Sequence, residues 1–215
     1  LTIRDTGTGE DVTLRDVPEG ELGQIRFTPD DKKIAFGLNT DTSPQNIYIA
    51  DVGGSATRLT NALNAEIDET HLVTAVVERF TASDGVVIPG ILYRPKMASP
   101  ESPAPALVFV HGGPGGQSGR GYSAMVQHLV NHGYAIYAAN NRGSSGYGKT
   151  FFHMDDERHG QEDLRDSVEA GDYLRSLDWG DGNRVGVMGG SYGGYMTAAA
   201  LTFHPEAFDV GINIF

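Results

Sequence analysis

A glycine-rich hexapeptide, Gly-Gly-Ser-Tyr-Gly-Gly at positions 189–194, joins an apolar segment to a predicted helix. The pattern Gly-x-Ser-x-Gly between a strand and a helix is typical of a nucleophile elbow, a turn that lifts the serine above the carboxyl edge of a sheet. Such a turn strains the backbone of Ser191, so the residues two before and two after it must be small; both, Gly189 and Gly193, are glycines. The turn also directs the N–H of Tyr192 toward an oxyanion formed at the serine. A glycine-rich turn can instead cradle a phosphate, so the hexapeptide alone leaves both functions open.

Strands and helices alternate along the second half of the chain. Four apolar runs predict strands: a buried strand at 106–110, two more at 134–139 and 185–188, and the start of another at 210–215. Three longer segments predict helices, at 122–131, 161–176 and 193–203. This alternation predicts an α/β fold, with a parallel sheet covered by helices on both faces.

The segment before this alternation predicts an antiparallel hairpin. Its two strands are expected at 72–80 and 86–93, separated by a turn that contains Asp84 and Gly85. The proline-rich stretch 97–105 that follows predicts a surface connector, because proline is excluded from central strands. The hairpin is therefore expected to lead into the parallel sheet.

The first 60 residues or so predict short antiparallel strands. Three such strands are expected at 23–27, 33–36 and 46–50, and each break contains Pro, Gly, Asp or Asn. Their number and spacing are typical of one β-propeller blade. Because blades bury their faces against neighbouring blades, this interpretation predicts the rest of a propeller upstream of the chain. A plain N-terminal meander is the alternative.

A second glycine-rich sequence, His-Gly-Gly-Pro-Gly-Gly at 111–116, follows the predicted strand 106–110. In the α/β hydrolase fold, a His-Gly-Gly loop in this position supplies the second oxyanion donor. Its glycines let the backbone come close to a substrate oxygen without an intervening side chain. The two glycine-rich sequences, at consistent strand ends, favour a serine hydrolase site over a phosphate cradle.

Three segments together resemble the hydrolase domain of the prolyl oligopeptidase family of serine peptidases. They are His-Gly-Gly-Pro at 111–114, Asn-Asn-Arg-Gly-Ser-Ser-Gly-Tyr-Gly at 140–148, and the hexapeptide at 189–194. The resemblance extends from about residue 86 to 215. It implies that residues 1–70 are the end of a β-propeller domain, and that residues 71–215 are an α/β hydrolase domain that is incomplete at its C-terminus. The expected fold class is thus an α/β hydrolase sheet, its N-terminal part, preceded by an antiparallel propeller-like blade.

The same resemblance assigns roles to individual residues. It implies that Ser191 is the nucleophile and that the backbone N–H groups of Tyr192 and Gly113 form the oxyanion hole. Asn141 departs from the family pattern, because relatives often carry an aromatic residue between Asn and Arg, so the subfamily stays open. Arg142 is expected to hold its own loop by ion pairs rather than to touch substrate.

A serine nucleophile needs a base and an acid, which in this fold follow the serine in the order Asp, His. After Ser191 the chain offers His204 as the one imidazole. A helix that rises about 1.5 Å per residue would place it about 20 Å away, so we expect it to mark a helix end instead. His111 is expected to be a structural hydrogen-bonding residue. The resemblance therefore places the catalytic Asp and His beyond Phe215, and we expect the chain to be a fragment.

The remaining histidines predict no catalytic or metal site. His128 and His132 have helix spacing and are expected on a solvated face, while His153 and His159 flank acidic residues in a loop. The chain has no cysteine, which excludes disulfides and thiolate ligands. We therefore expect neither a metal nor another cofactor.

Composition limits the partners. With 16 Lys+Arg against 28 Asp+Glu, the formal net charge is −12, which opposes binding to nucleic acid. The apolar runs fall far short of the ~20 residues needed to span a bilayer, so no membrane partner is expected. A soluble protein is therefore expected; the sequence does not determine its compartment, with the cytoplasm slightly favoured.

These observations predict a serine hydrolase that cleaves peptide or acyl-peptide bonds of short peptides through an acyl-enzyme on Ser191. A carboxylesterase on the same site is the alternative, because acyl transfer to serine serves esters and amides alike. A third hypothesis, from another class, is a non-catalytic piece that needs a second chain. The expected partners are thus a short peptide or ester substrate and either the missing C-terminal segment or a second chain.

Overall fold

The computed structural model describes all residues, 1–215, and the chain divides into two units. The first unit contains Leu1–Leu72 together with Arg120–Ala124, and the second contains Val73–Gly119 together with Met125–Phe215. Both units contain strands, and the longer helices lie in the second, so the α/β class predicted from the sequence is confirmed. None of the helices combines the length and the apolar character that crossing a bilayer requires.

The first unit is built on an antiparallel sheet of four strands in sequential order. These strands are β3 (Glu21–Phe27), β4 (Lys33–Thr40), β5 (Ser43–Asp51) and β6 (Thr57–Arg58), preceded by a separate pair, β1 (Thr2–Arg4) and β2 (Asp11–Thr13). Alternate residues of β4, Ile34, Phe36 and Leu38, are buried. Phe36 lies opposite Tyr48 and stacks on its ring at 5.7 Å, so one face of the sheet carries the core of this unit.

The second unit is built on a mixed sheet of six strands in the order β12-β11-β9-β10-β8-β7. The strands are β7 (Val76–Thr81), β8 (Val87–Tyr93), β9 (Ala104–Val110), β10 (Ala135–Ala139), β11 (Gly180–Gly189) and β12 (Val210–Asn213). The four strands from β12 to β10 are parallel, whereas β8 pairs antiparallel with both β10 and β7. The hairpin therefore leads into a parallel sheet, as the sequence predicted.

Helices cover both faces of this sheet. They are α1 (Ala124–Asn131), α2 (Lys149–Phe152), α3 (Glu162–Ser176) and α4 (Tyr192–Phe203), with a short 3-10 turn at Glu69–His71. Successive residues of β9 show the two faces: Leu107 packs in a cluster with Val126 and Val130 of α1, and Val108 packs in a cluster that includes residues of α3 and α4. Burial on both faces explains why this strand is a continuous apolar run in the sequence.

Several element boundaries differ from the sequence prediction. Residues 72–75 are not part of β7, and α1 begins at Ala124 rather than at 122. The expectation that 97–105 lies wholly outside the sheet is wrong for its last two residues, because β9 begins at Ala104. Pro105 fits there because the register with β11 is interrupted between Ala104 and Ala106, so no ladder hydrogen bond needs its missing N–H.

Candidate active site

Ser191 lies on the sharp turn between β11 and α4. Strand β11 ends at Gly189 and helix α4 begins at Tyr192, so only two residues turn the chain. Ser191 has φ 56° and ψ −121°, a combination that non-glycine residues rarely adopt and that costs about 1–3 kcal/mol. The backbone at the serine is therefore strained, as the glycine pattern predicted.

The two flanking glycines leave no room for larger residues. A Cβ on Gly189 would lie 2.5 Å from the carbonyl carbon of Gly193, because the end of the strand and the start of the helix nearly touch. A Cβ on Gly193 would lie 2.0 Å from the carbonyl oxygen of Val110, at the end of the neighbouring strand β9. Both contacts are with backbone atoms, which cannot swing aside as a side chain would.

The turn leaves the Ser191 side chain exposed and without a hydrogen-bond partner in the chain. Its backbone N–H donates to the carbonyl of Phe215 at 2.8 Å, which fixes the main chain while the hydroxyl stays free. The N–H of Tyr192 is in the first turn of α4, where backbone donors have no partner within the helix. An exposed hydroxyl thus lies next to a free backbone donor.

The loop after β9 lies beside the serine. A Cβ on Gly112 would lie 3.3 Å from Cβ of Ser191 and 3.9 Å from its Oγ, so the loop backbone borders the hydroxyl directly. Gly113 is exposed and has φ 57°, the left-handed conformation that glycine adopts without strain. The structure therefore brings the two glycine-rich sequences together at the same edge of the sheet.

His111, which opens this loop, is a buried structural residue, as predicted. Its Nε2 lies 2.9 Å from Oγ of Ser144 and its Nδ1 lies 3.1 Å from the carbonyl oxygen of Gly112. Burial lowers the pKa of His111, which favours a neutral ring. The contact with Ser144 ties the glycine loop to the segment after β10.

None of the seven imidazoles hydrogen-bonds Ser191. His204 follows the last residue of α4, and its N–H donates to Ala200, so it marks a helix end as predicted. The exposed rings of His153 and His159 each face an aspartate, at 2.7 and 3.2 Å respectively. No group of three or more His, Cys, Asp or Glu residues is arranged to hold a metal ion.

Arg142 makes ion pairs within its own part of the fold, which confirms the prediction. Its Nη2 donates to Oδ1 of Asp166 at 2.7 Å and its Nε to Oδ2 at 2.9 Å, while Nη1 donates to Asp84 at 2.7 Å. Asp166 is fully buried, and its carboxylate raises the pKa of Arg142. The neighbouring Asn141 is also buried, and its amide donates to the carbonyl of Arg142 at 2.8 Å. This network joins the β7–β8 turn to α3.

Sequence reasoning missed one residue next to the site, Asp163. This aspartate is fully buried in the first turn of α3, and it accepts a hydrogen bond from the hydroxyl of Tyr192. An acidic residue at the start of a helix is common and gives no signal of its own. Only the three-dimensional structure connects it to the residue after Ser191.

An exposed serine on a strained strand-to-helix turn, beside a glycine loop from the adjacent strand, is typical of serine hydrolases with an α/β sheet. Comparison with protein families agrees with this class: residues 120–214 match the model of the prolyl oligopeptidase family. This match confirms the resemblance to the prolyl oligopeptidase family that the motifs predicted.

Two curated relatives match most of the chain. The chain is 30% identical over 208 residues to dipeptidyl aminopeptidase BIII of Pseudoxanthomonas mexicana. This alignment covers 94% of the chain and 30% of the relative. The chain is 32% identical over 178 residues to the uncharacterized peptidase YuxL of Bacillus subtilis. This alignment covers 82% of the chain and 27% of that protein. The chain thus spans less than a third of the length of these relatives.

Solved structures show the same fold. A puromycin-hydrolyzing peptidase of Mycobacterium tuberculosis superposes with a TM-score of 0.86 over 98% of this chain and 33% of its own, at 24% identity. An acylaminoacyl peptidase of Pyrococcus horikoshii gives a TM-score of 0.77 over 91% of this chain and 31% of its own, at 29% identity. The likeness in fold extends over both units of the chain, because nearly the whole chain is covered.

Proposed function

We propose that this chain is part of a serine peptidase in which Ser191 is the nucleophile and the N–H groups of Tyr192 and Gly113 form the oxyanion hole. The observation that carries the proposal is the strained, exposed Ser191, whose unpaired hydroxyl borders the backbone of Gly112. Strain of this kind persists only where the surrounding structure enforces it, and it is concentrated at functional sites. In this proposal the six-stranded sheet is the first part of an α/β hydrolase domain, and the N-terminal sheet is the end of a β-propeller.

The geometry supports acyl transfer to the serine. Oγ of Ser191 attacks the substrate carbonyl carbon while its proton passes to a base, and the carbonyl oxygen becomes an oxyanion that accepts hydrogen bonds from the two N–H groups. The intermediate collapses to an acyl-enzyme when the bond to the leaving amine breaks and the amine takes the proton from the base. Water then attacks the acyl carbon, passing one proton to the base, which returns it to Ser191 as the acid product leaves.

The base and its orienting acid are assigned to sequence outside residues 1–215, or to a second chain. The reason is that Ser191 has no hydrogen bond to any imidazole or carboxylate in the structure. His111, the buried imidazole that opens the glycine loop, is hydrogen-bonded to Ser144. The site therefore needs an additional segment that brings a His within hydrogen-bond reach of Ser191.

The proposed substrates are short peptides or acyl-peptides. Two of the relatives are named a dipeptidyl aminopeptidase and an acylaminoacyl peptidase, names that indicate cleavage near the N-terminus of a peptide. A propeller in front of the hydrolase domain would restrict access to small substrates. In this proposal the chain supplies the nucleophile and the oxyanion donors of the site.

Turnover of matched peptide and ester substrates tests this proposal. The full-length protein encoded by the gene is expected to hydrolyse short peptide p-nitroanilides as well as p-nitrophenyl esters, and the Ser191→Ala variant is expected to hydrolyse neither. Hydrolysis of esters alone would replace the peptidase by a carboxylesterase on the same site. Equal rates for the parent and Ser191→Ala would show that Ser191 is not the nucleophile.

A further inference from the structure

Asp163 is a buried carboxylate that is held from two sides. Its Oδ1 accepts hydrogen bonds from the N–H groups of Gly160, Gln161 and Leu164 at 2.8, 2.9 and 2.9 Å. Its Oδ2 accepts the hydroxyl of Tyr192, the residue directly after Ser191. Burial and the neighbouring Asp163 raise the pKa of Tyr192, so the phenol stays protonated and remains a donor. Four donors therefore hold one carboxylate that no solvent reaches.

The loop before α3 packs on the same side of α4. The ring of His159 meets the ring of Tyr192 edge-on at 5.5 Å, and the ring of Tyr195 lies 5.4 Å from that of Tyr192. A Cβ on Gly160 would lie 2.1 Å from the hydroxyl of Tyr195, and Gly160 has φ 81°, a left-handed conformation that favours glycine. The Tyr192 side chain thus packs against two rings, and its hydroxyl is held by Asp163.

We propose that Asp163 is a positioning residue, which fixes the backbone N–H of Tyr192 in the oxyanion hole through the Tyr192 hydroxyl. The inference rests on the proposed function and deepens it. The side chain of Tyr192, which reaches Asp163, and its backbone N–H are joined through the same Cα. A restraint on the phenol therefore also restrains the N–H donor. A preorganised donor stabilises the oxyanion because it needs no reorientation during the reaction, and small displacements of such groups lower the rate steeply.

A second role of Asp163 has to be separated from this one. Its Oδ1 accepts hydrogen bonds from N–H groups at and just before the first turn of α3, so removal of the whole side chain would also weaken the start of the helix. Tyr192→Phe avoids this, because it removes the phenol oxygen and leaves all three N–H contacts of Asp163 in place. Asp163→Asn keeps an oxygen for the same N–H groups but exchanges the carboxylate that faces the phenol for an amide.

The experiment measures kcat and KM of the full-length protein on a peptide p-nitroanilide for Tyr192→Phe, Asp163→Asn and the double variant. Each single substitution is expected to lower kcat about tenfold with less than a twofold change in KM, because the oxyanion contact is made in the transition state. The double variant is expected to be no slower than the single ones, since both remove the same contact. Tyr137→Phe is the matched control, as its buried hydroxyl lies 3.4 Å from the carbonyl oxygen of Ile88; its kcat should stay at the parent value.

Two results would overturn the inference, and they have different meanings. If the parent hydrolyses the substrate through Ser191 but Tyr192→Phe keeps the parent kcat, the phenol does not position the oxyanion hole, and the inference alone fails. Losses that add up in the double variant would have the same meaning. If the parent is no faster than Ser191→Ala, the proposed function fails, and the inference fails with it.

Discussion

Gly193, in the first turn of α4, packs directly against the carbonyl group of Val110 at the end of β9. The space for a side chain at Gly193 is already occupied by backbone, since a Cβ there would lie 2.0 Å from the Val110 oxygen. This contact sets how close the helix that follows Ser191 comes to the strand that precedes the His-Gly-Gly loop. Both proposed oxyanion donors therefore depend on one glycine.

Gly193→Ala is expected to destabilise the protein by about 1–3 kcal/mol, because helix and strand must separate to admit the methyl group. Alanine favours a helix over glycine by about 1 kcal/mol, but steric overlap with a backbone atom outweighs that gain. Chemical denaturation measures the change. Gly182→Ala is the matched control: its Cβ would come no nearer than 3.9 Å to an atom of another residue beyond its chain neighbours, and the free energy of unfolding should stay the same or rise. Equal effects at the two positions would contradict the close packing at Gly193.

Ser191→Gly is expected to be more stable than Ser191→Ala by about 1 kcal/mol. Glycine adopts the backbone angles of Ser191 without strain, whereas alanine keeps the strain, and this relief exceeds the extra chain entropy of glycine in the unfolded state. Thermal unfolding of both variants measures the difference. The control is Ser176, the last residue of α3, where the order should reverse because glycine weakens a helix. If Ser191→Ala were more stable than Ser191→Gly, the turn would not be strained.

The stability of the protein is expected to fall as the pH drops below about 6.5, in part because of His111. Burial lowers the pKa of His111 in the folded state, so below the ordinary pKa the unfolded chain binds a proton that the folded chain does not. The contribution of His111 to the free energy of unfolding is therefore fully present above pH 6.5. It decreases on acidification until the folded-state pKa is reached. His111→Gln removes this group, and its free energy of unfolding should depend less on pH between 7.5 and 5.5. Identical slopes for the two proteins would contradict the pKa shift.

Asp166→Asn is expected to cost about 3 kcal/mol or more, because it leaves the buried guanidinium of Arg142 without its main counterion. Urea denaturation measures the loss. The matched control is Asp11→Asn, since Asp11 pairs with Arg4 on the surface and that change should leave the unfolding midpoint nearly unaltered. A similar midpoint for Asp166→Asn and the parent would show that the buried pair does not stabilise the fold.

The sequence predicts the central strands of the second unit well because their apolar runs are buried on the sheet faces, whereas the run that contains β12 is mostly exposed. Runs such as 106–110 and 134–139 match β9 and β10 within two residues. The short pair β1 and β2 was missed, since strands of three residues give no detectable periodicity. The start of β9 was also misjudged, because the rule that keeps proline out of central strands has an exception where the ladder is interrupted.

The candidate site was predictable to the extent that it is local in sequence. The hexapeptide at 189–194 and the loop at 111–116 each have a recognisable pattern, and their glycines are needed for contacts that the structure shows. The partnership of Tyr192 with Asp163 was not predictable, because it spans 29 positions and joins two common residue types. Contacts of this kind are set by how α3 and α4 pack, which single-sequence patterns do not encode.

The most direct test of the account is labelling with a fluorophosphonate, which reacts only with an activated serine, followed by mapping of the modified peptide by mass spectrometry. The full-length protein is expected to be labelled at Ser191 and nowhere else, and Ser191→Ala is expected to remain unlabelled. Residues 1–215 alone should not react, because the base is assigned to sequence outside them. An unlabelled full-length protein, or labelling that persists in Ser191→Ala, would contradict the assignment of Ser191 as the nucleophile.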